Sequence, residues 1–564
     1  MSPAPDGPAS TVDGRAFPAG GPAGRGTRLA RPAPPARTAL AGLAAAALGV
    51  GAGQALALLI APAAGPVNAV AEQVVALTPP ALAGAATVGA GIGSRYTVVA
   101  GVLVVLALAA AGLGALSRRS PWPGAWGLAV LGLAGVVAAA TASGAGQLDM
   151  VPAGAAAVVA VTVFRKLHAL AARIPAPTAD GTLPDGRPVR SSLTRRRFLR
   201  TTALAGAGGV VLGAGAAAAA PLLPSGRIGP AREALTARIR MLAAQGRIAA
   251  APTLPAGAQV PGAAAFTTAV DAFYRIDTAL RVPSVDPASW SLRVHGRVGR
   301  ELTLTLDDLL ARPLVERWVT MACVSNEVGG DLVSTTRFTG VELAPLLAAA
   351  EPDPAADQAL STSTDGWTAG SPSSLLLDPA RGALLAVAMA GPDGPVALPP
   401  EHGFPVRIVV PGLYGYVSAT KWVTDIEFTT FGARADYWRA RGWAPPGPME
   451  TAARIESPAS YASVPAGRVV VTGTAWAVPR GIRRVEVGVQ DGGGSGSWVT
   501  AELAPVPAGG ATWRQWRAEL DLPPGGYTLV CRATDGDGVV QTAERRSPLP
   551  GAATGWPTRT VTVT

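Results

Sequence analysis

The sequence is poor in the residue types that most often carry chemistry. It holds two cysteines, three histidines and, among 47 basic residues, only two lysines, Lys166 and Lys421. Two Cys and three scattered His give neither a disulfide framework nor a zinc-ligand cluster. Charged residues make up 15% of the 564 positions and aromatics 5%. An average soluble domain carries roughly 25% charge. With a mean hydropathy of +0.31, this shortage excludes a single soluble globule.

What charge there is lies unevenly. The net +10, taken whole, points to a nucleic-acid binder. Residues 1–223 hold 17 basic and 6 acidic residues, a net of +11, and residues 224–564 hold 30 and 31, a net of −1. The excess sits in the apolar part, so nucleic acid is not an expected partner.

Long apolar stretches cover about Thr38–Ala61, Thr97–Leu116, Trp126–Ala142 and Met150–Phe164. A helix needs about 20 apolar residues to cross a bilayer, so four transmembrane helices are expected over 38–172, after a disordered cytoplasmic tail at 1–37. The stretch Ala69–Gly93, broken by Glu72, Pro79 and Pro80, reads as an external interfacial loop. Arg15, Arg25, Arg28, Arg31 and Arg37 precede the first span, Arg118 and Arg119 follow the second, and Arg165, Lys166 and Arg173 follow the fourth. The positive-inside rule places these segments in the cytoplasm.

The region 173–223 holds a cytoplasmic loop, then Thr194-Arg195-Arg196-Arg197-Phe198-Leu199-Arg200, then a fifth apolar segment, Ala203–Leu223. The motif resembles the twin-arginine export signal, with Arg for the final Lys. It puts everything after it on the extracytoplasmic face of the plasma membrane. Ala216–Ala220 is a candidate cleavage run; retention is the expectation.

The exported part begins with an Ala/Pro/Gly-rich linker, 224–263, holding one helix at Pro230–Gln245. An α+β domain is expected over 264–445. Its strands are placed at Trp290–Val298, Leu302–Leu306, Glu316–Cys323 and Val406–Val410, and its helices at Asp307–Ala311 and Gly340–Ala349. Regularly spaced strands over 446–564, with the turn-rich loop Asp491–Gly496 among them, suit an all-β sandwich of the immunoglobulin type.

Two landmarks carry chemistry. Cys323 ends an apolar strand in Thr320-Met-Ala-Cys-Val-Ser-Asn326-Glu327. A lone thiol is most often a small buried hydrophobe. It is also a strong single ligand for a soft metal, and both readings stand at this point. The second is His402-Gly-Phe-Pro-Val-Arg407, followed by Pro411-Gly412, Gly415-Tyr416-Val417-Ser418 and Thr420-Lys421-Trp422. An imidazole, a guanidinium and an ammonium gather there among glycines, a set that suits a phosphate.

Together these blocks resemble the sulfite oxidase family of molybdopterin-dependent oxidoreductases. The resemblance extends to Ser363-Thr-Asp365-Gly, Leu377-Asp-Pro379 and Phe273-Tyr274-Arg275 upstream, and to Val470–Trp476, Trp513–Trp516 and Arg532–Gly536 downstream. It implies that Cys323 is the thiolate ligand to molybdenum and Asn326 its companion. It implies that His402 and Arg407 hold the pterin and its phosphate, that Ser418, Thr420 and Lys421 complete the phosphate end, and that Phe273, Tyr274 and Arg275 line the mouth. Asp365 is a further cofactor contact. It also implies oxygen-atom or electron transfer with a small-molecule substrate, and a homodimer through the C-terminal domain.

The departures bear on substrate. The family's Arg-Asn-His stretch is missing from Arg275–Pro283, and Glu327 stands where Arg is usual. A carboxylate is a poor neighbour for sulfite, so a sulfoxide-type reductase is the alternative, with a cofactor-free membrane-anchored binding protein as the rival of another class. No haem is expected, since only His168 lies in the membrane part and a six-coordinate haem needs two axial ligands. Electrons then pass to a carrier that the sequence does not identify.

Overall fold

The computed structural model describes residues 34–60, 64–78, 94–141, 147–174, 193–219, 228–276, 278–279, 282–444, 447–489 and 498–564. Most of the N-terminal tail, residues 79–93, the loop 175–192, the end of the cleavage run at Ala220, part of Arg275–Pro283 and the loop Asp491–Gly496 lie outside them.

Among the described residues, six helices open the chain: α1 (Pro35–Ile60), α2 (Pro66–Leu77), α3 (Ser94–Leu116), α4 (Trp122–Thr141), α5 (Val151–Ala172) and α6 (Leu193–Ala219). Five of these segments, all but α2, are long and apolar enough to cross a membrane. Small residues let α1 pack at backbone distance against its neighbours. A Cβ on Gly42 would lie 2.2 Å from the Ala110 carbonyl oxygen of α3, and one on Gly51 2.2 Å from that of Gly209 in α6. The expected loop at Ala69–Gly93 is corrected in its described part, where α2 packs on α3 and α4. Its twelve residues are too few to span.

The expected linker is also corrected. Helix α7 (Ile228–Ala244) buries Ile228, Leu235, Ile239 and Leu242 on one stripe in the core of the next domain. Strand β1 (Ile248–Ala249) pairs in parallel with β4 (Leu314–Ala322), and Trp318 Nε1 donates to the Pro252 carbonyl at 2.8 Å. The Ala/Pro/Gly composition conceals these widely spaced apolar anchors.

The α+β domain holds two sheets. One runs β1-β4-β5-β8-β10 with β9 on β8; the other runs β3-β2-β11-β6-β7. The remaining bounds are β2 (Ser291–Gly296), β3 (Leu302–Thr305), β5 (Val333–Glu342), β6 (Gln358–Ser363), β7 (Thr368–Pro372), β8 (Leu384–Gly391), β9 (Gly394–Ala397), β10 (Arg407–Val409) and β11 (Val423–Thr429). Strand β5 overturns part of the helix expected at Gly340–Ala349. A Cβ on Gly340 would meet the Leu385 carbonyl oxygen at 2.1 Å, so the glycine serves close strand pairing and the helix starts only at Leu343.

Among its described residues, the C-terminal region forms a four-stranded and a five-stranded sheet around their own core, which includes Trp516 and Val471. It abuts the strand that leads to Cys323. Thr320 N donates to the Ala511 carbonyl at 2.8 Å, and Trp513 N donates to Thr320 Oγ1 at 2.6 Å.

Ile239→Ala on α7 is expected to cost about 2–5 kcal/mol, as for a buried core isoleucine. Met241→Ala on the exposed face of the same helix is expected to change stability by less than about 0.5 kcal/mol. Thermal or denaturant unfolding of both variants is the check; a negligible Ile239→Ala effect would restore the linker reading.

Candidate functional site

Strand β4 is rich in β-branched and aromatic residues and is buried over Trp318–Ala322. It ends at Ala322, which pairs with Val333 at the start of β5. Cys323 opens the loop between them. Its amide donates to the Leu332 carbonyl at 2.9 Å, and Leu332 N donates to Asn326 Oδ1 at 2.9 Å. The loop is therefore closed on itself by its own polar groups. The thiol lies 2.8 Å from Ser325 Oγ, and burial pushes its pKa up while that hydroxyl opposes the shift. A bound cation reverses such a preference by displacing the thiol proton. Both cysteines are free thiols.

Cys323 stands between two cavities. The first encloses about 920 Å³ including its open mouth, and Phe273, Tyr274, Arg275, Asp365, His402, Arg407 and Lys421 share its wall with the thiol. These are the predicted site residues that the fold brings together. Arg407 begins β10 and is 5% exposed. Its NH1 and NH2 groups donate to the His402 and Ala419 carbonyls at 3.3 and 3.4 Å, while its buried Nε has no partner among the described residues. Burial lowers its pKa to about 10, so it stays a cation at neutral pH. A buried guanidinium with only carbonyl partners is an anion site.

The turn beside it is shaped to the same end. Gly403 has φ +104°, and a Cβ there would lie 3.0 Å from Arg407 Cβ and 3.1 Å from Lys421 Cα. Only glycine lets these chains approach. Lys421 Nζ donates to the Glu401 carbonyl at 3.1 Å and lies 4.8 Å from the Trp422 ring centre. Trp422 itself holds φ +50°, an outlier for a bulky residue. Its Nε1 bond to the Pro400 carbonyl at 2.8 Å and its own carbonyl, which accepts from Thr364, keep it there. His402 meets the Phe273 ring edge-on at 5.5 Å between centres. Burial first, then the Arg407 and Lys421 charges, push its pKa down to about 3, so the imidazole is neutral. Tyr274 stacks on Phe273, and burial raises its pKa.

Three predicted residues stand elsewhere. Asn326 lines the second cavity and braces the Cys323 loop. Ser418 and Thr420, expected at the phosphate end, line neither cavity. Ser418 Oγ donates to the Tyr414 carbonyl at 2.9 Å, and Thr420 Oγ1 is bonded to Ser361 Oγ at 2.6 Å, so both hydroxyls are used in holding the turn. Sequence reasoning missed the aromatic wall of Trp367, Tyr416, Trp438 and Trp443. The one available signal was the local density of aromatics at Tyr437-Trp438 and Trp443 in an aromatic-poor chain. Asp436, fully buried, accepts from the amides of Trp438 and Arg439 at 3.2 Å and fixes that wall.

The donor set fits a group that offers a metal to one soft ligand, an extended ring to aromatic walls and a phosphate to buried cations. The neutral His402 gives a test of its environment. Its folded pKa lies below the usual 6.5, so the unfolded chain binds the extra proton, and stability is lost as pH falls from about 6.5 toward 3. Thermal unfolding of cofactor-free protein is expected to show that slope, and His402→Gln to flatten it.

Comparison with known proteins agrees with this geometry. Residues 279–438 match the family model described as the oxidoreductase molybdopterin-binding domain. The chain is 32% identical to human mitochondrial sulfite oxidase over 304 residues, which is 45% of this chain and 54% of that one. It is 32% identical over 158 residues to the uncharacterized oxidoreductase YuiH of Bacillus subtilis, 28% of this chain and 74% of the relative. A solved structure, the sulfane dehydrogenase SoxCD from Paracoccus pantotrophus, aligns at 23% identity over 50% of this chain and 77% of that one, with a TM-score of 0.41. The chain spans about half the length of the mitochondrial sulfite oxidases it matches. With the thiol, the buried cations and the sequence likenesses together, the chain belongs to the sulfite oxidase family of molybdopterin-binding oxidoreductases.

Proposed function

We propose that this protein is a membrane-anchored oxidoreductase whose molybdenum site faces outward and works by oxygen-atom and electron transfer. The observation that carries the chemistry is one buried thiol sharing a cavity with a partly unpartnered buried guanidinium, a neutral imidazole and the single lysine of the exported half. Cys323 holds the metal. Arg407 and Lys421 hold the phosphate, and His402 the pterin. Phe273, Tyr274 and Arg275 line the mouth, with Asp365 a further contact. The bound group supplies the two-electron redox chemistry; the protein binds it, orients it and keeps it dry. Family membership sets aside the cofactor-free binding protein.

Five membrane-length helices and the basic residues at their cytoplasmic ends support the anchored, outward-facing reading. The Arg195-Arg196 motif supports export at the plasma membrane after folding. The two C-terminal sheets are read as an immunoglobulin-like sandwich and, with the resemblance, as a dimerisation surface. No haem is proposed: His168 Nε2 donates to the Ser117 carbonyl at 2.6 Å inside the helical region. Electrons therefore leave through an external carrier.

Purified full-length protein from a molybdenum-sufficient host is expected to contain stoichiometric molybdenum by elemental analysis. Cys323→Ser is expected to lower turnover at least about 100-fold; metal-free wild type would end the proposal. For topology, external protease added to spheroplasts is expected to digest the part after residue 228. An Arg195→Lys/Arg196→Lys double variant is expected to protect it.

A further inference from the structure

Positive charge in the exported half is gathered where the chain leaves the membrane-length helices. Residues 224–254 hold five arginines and one carboxylate, Glu233, a net of +4, while residues 255–564 hold 25 basic and 30 acidic residues, a net of −5. The positive-inside rule leaves few arginines just beyond an outward-going span, so five here call for a function. Arg238 and Arg240 in α7, and Arg247 just after it, are exposed. Their links to the protein are slight. Arg240 donates to the Pro395 carbonyl at 3.2 Å and Arg247 to the Ala311 carbonyl at 3.3 Å, and neither bond neutralises the charge. Arg238 pairs with Asp307, but the two side chains are 43% and 79% exposed, and such surface pairs hold weakly.

The outer face of α7 is not that of an ordinary surface helix. Opposite the buried stripe of Ile228, Leu235, Ile239 and Leu242 stand Ala234, Ala237, Met241 and Ala244, all exposed, with Met241 at 52%. At about 100° per residue, Arg240 falls to one side of this face and Arg238 to the other. A water-facing helix carries polar residues opposite its buried stripe. An apolar strip between flanking arginines suits the boundary of a bilayer, with the arginine stems along the strip and the charges among headgroups. Chain length fixes the distance. Only residues 220–227 separate α6 from α7, and the nine peptide steps between the helices span at most about 32 Å. A helix so tethered to the end of a membrane span stays close to the lipid surface.

We propose that α7 rests on the outer face of the bilayer and binds anionic lipid headgroups through Arg238, Arg240 and Arg247, with Met241 entering the headgroup boundary. The proposal rests on the membrane-anchored, outward-facing reading. Anionic lipid is the occupant because complementary charge, the apolar strip and the short tether meet on one surface. The rest of the exported half, at net −5, is repelled by the same lipid, so α7 sets which side of the domain faces the membrane.

The test uses the full-length chain in lipid nanodiscs, with Met241→Cys carrying an environment-sensitive fluorophore; Cys323 and Cys531 are buried. Val539→Cys, at a position 59% exposed, is the reference. A chain that does not enter the discs fails the anchored reading separately. In discs of phosphatidylglycerol and phosphatidylcholine, spin-labelled lipid is expected to quench the label at 241 at least about threefold more than the label at 539. Phosphatidylcholine alone, about 0.5 M salt, and the triple variant Arg238→Glu/Arg240→Glu/Arg247→Glu are each expected to bring the two labels within about 1.5-fold of each other. The salt arm needs no substitution, so a variant that folds poorly does not decide the result. Equal quenching at 241 and 539 in the anionic discs overturns the proposal. So does a blue-shifted label at 241 that spin-labelled lipid leaves unquenched, which places α7 against protein, and so does quenching indifferent to lipid charge and salt.

Discussion

The site depends on the anchoring of strand β4 along both edges. One edge pairs with β5 over eight residues, Val315–Ala322. The other is held by β1 at Leu314 and Val315 and by Ala511 and Trp513 of the C-terminal region at Val319 and Thr320. A thiol that must be dry and still reachable needs a rigid platform, and a strand paired along one edge and pinned at points along the other supplies one. The loop that carries Cys323 adds little freedom, because Leu332 and Asn326 close it immediately.

That anchoring explains why segments far apart in sequence are structurally inseparable. Phe266, in the arm leading from α7, accepts from Trp513 Nε1 at 3.2 Å, and Val260 N donates to Gln515 Oε1 at 2.6 Å. The arm, the Cys strand and the C-terminal sheets thus share one set of buried hydrogen bonds. Losing a partner in such a set leaves an unsatisfied group, at about 1–3 kcal/mol each. The domains divide by composition more cleanly than they divide by energy.

Electrostatics completes the design. Buried Arg407 keeps its charge, while His402 beside it stays neutral under the influence of burial and of that same cation. Two adjacent basic groups thereby play different parts, a fixed positive charge and a neutral hydrogen-bonding ring. The turn 411–422 spends the hydroxyls of Ser418 and Thr420 on its own shape, leaving Arg407 and Lys421 on the cavity wall.

Much of this was legible in the residues. Apolar length identified the membrane-scale helices, regular spacing pointed to strands over 446–564, where Gly467–Trp476 is one, and Cys323, His402, Arg407 and Lys421 stood out as rare residues in an Arg-rich, Lys-poor chain. Strand β8 was missed because Leu-Leu-Ala-Val-Ala-Met-Ala is apolar throughout and shows no period. Helix α7 was assigned to a linker because its anchors are few and spaced by turns. The sequence by itself determined the class of chemistry only through the order of its motif blocks and the family they resemble, since Cys323 taken alone left two readings open. Tertiary structure alone decided which hydroxyls face the cavity, which tryptophans wall it and which arginines are already neutralised, because those depend on contacts between residues up to about 250 positions apart.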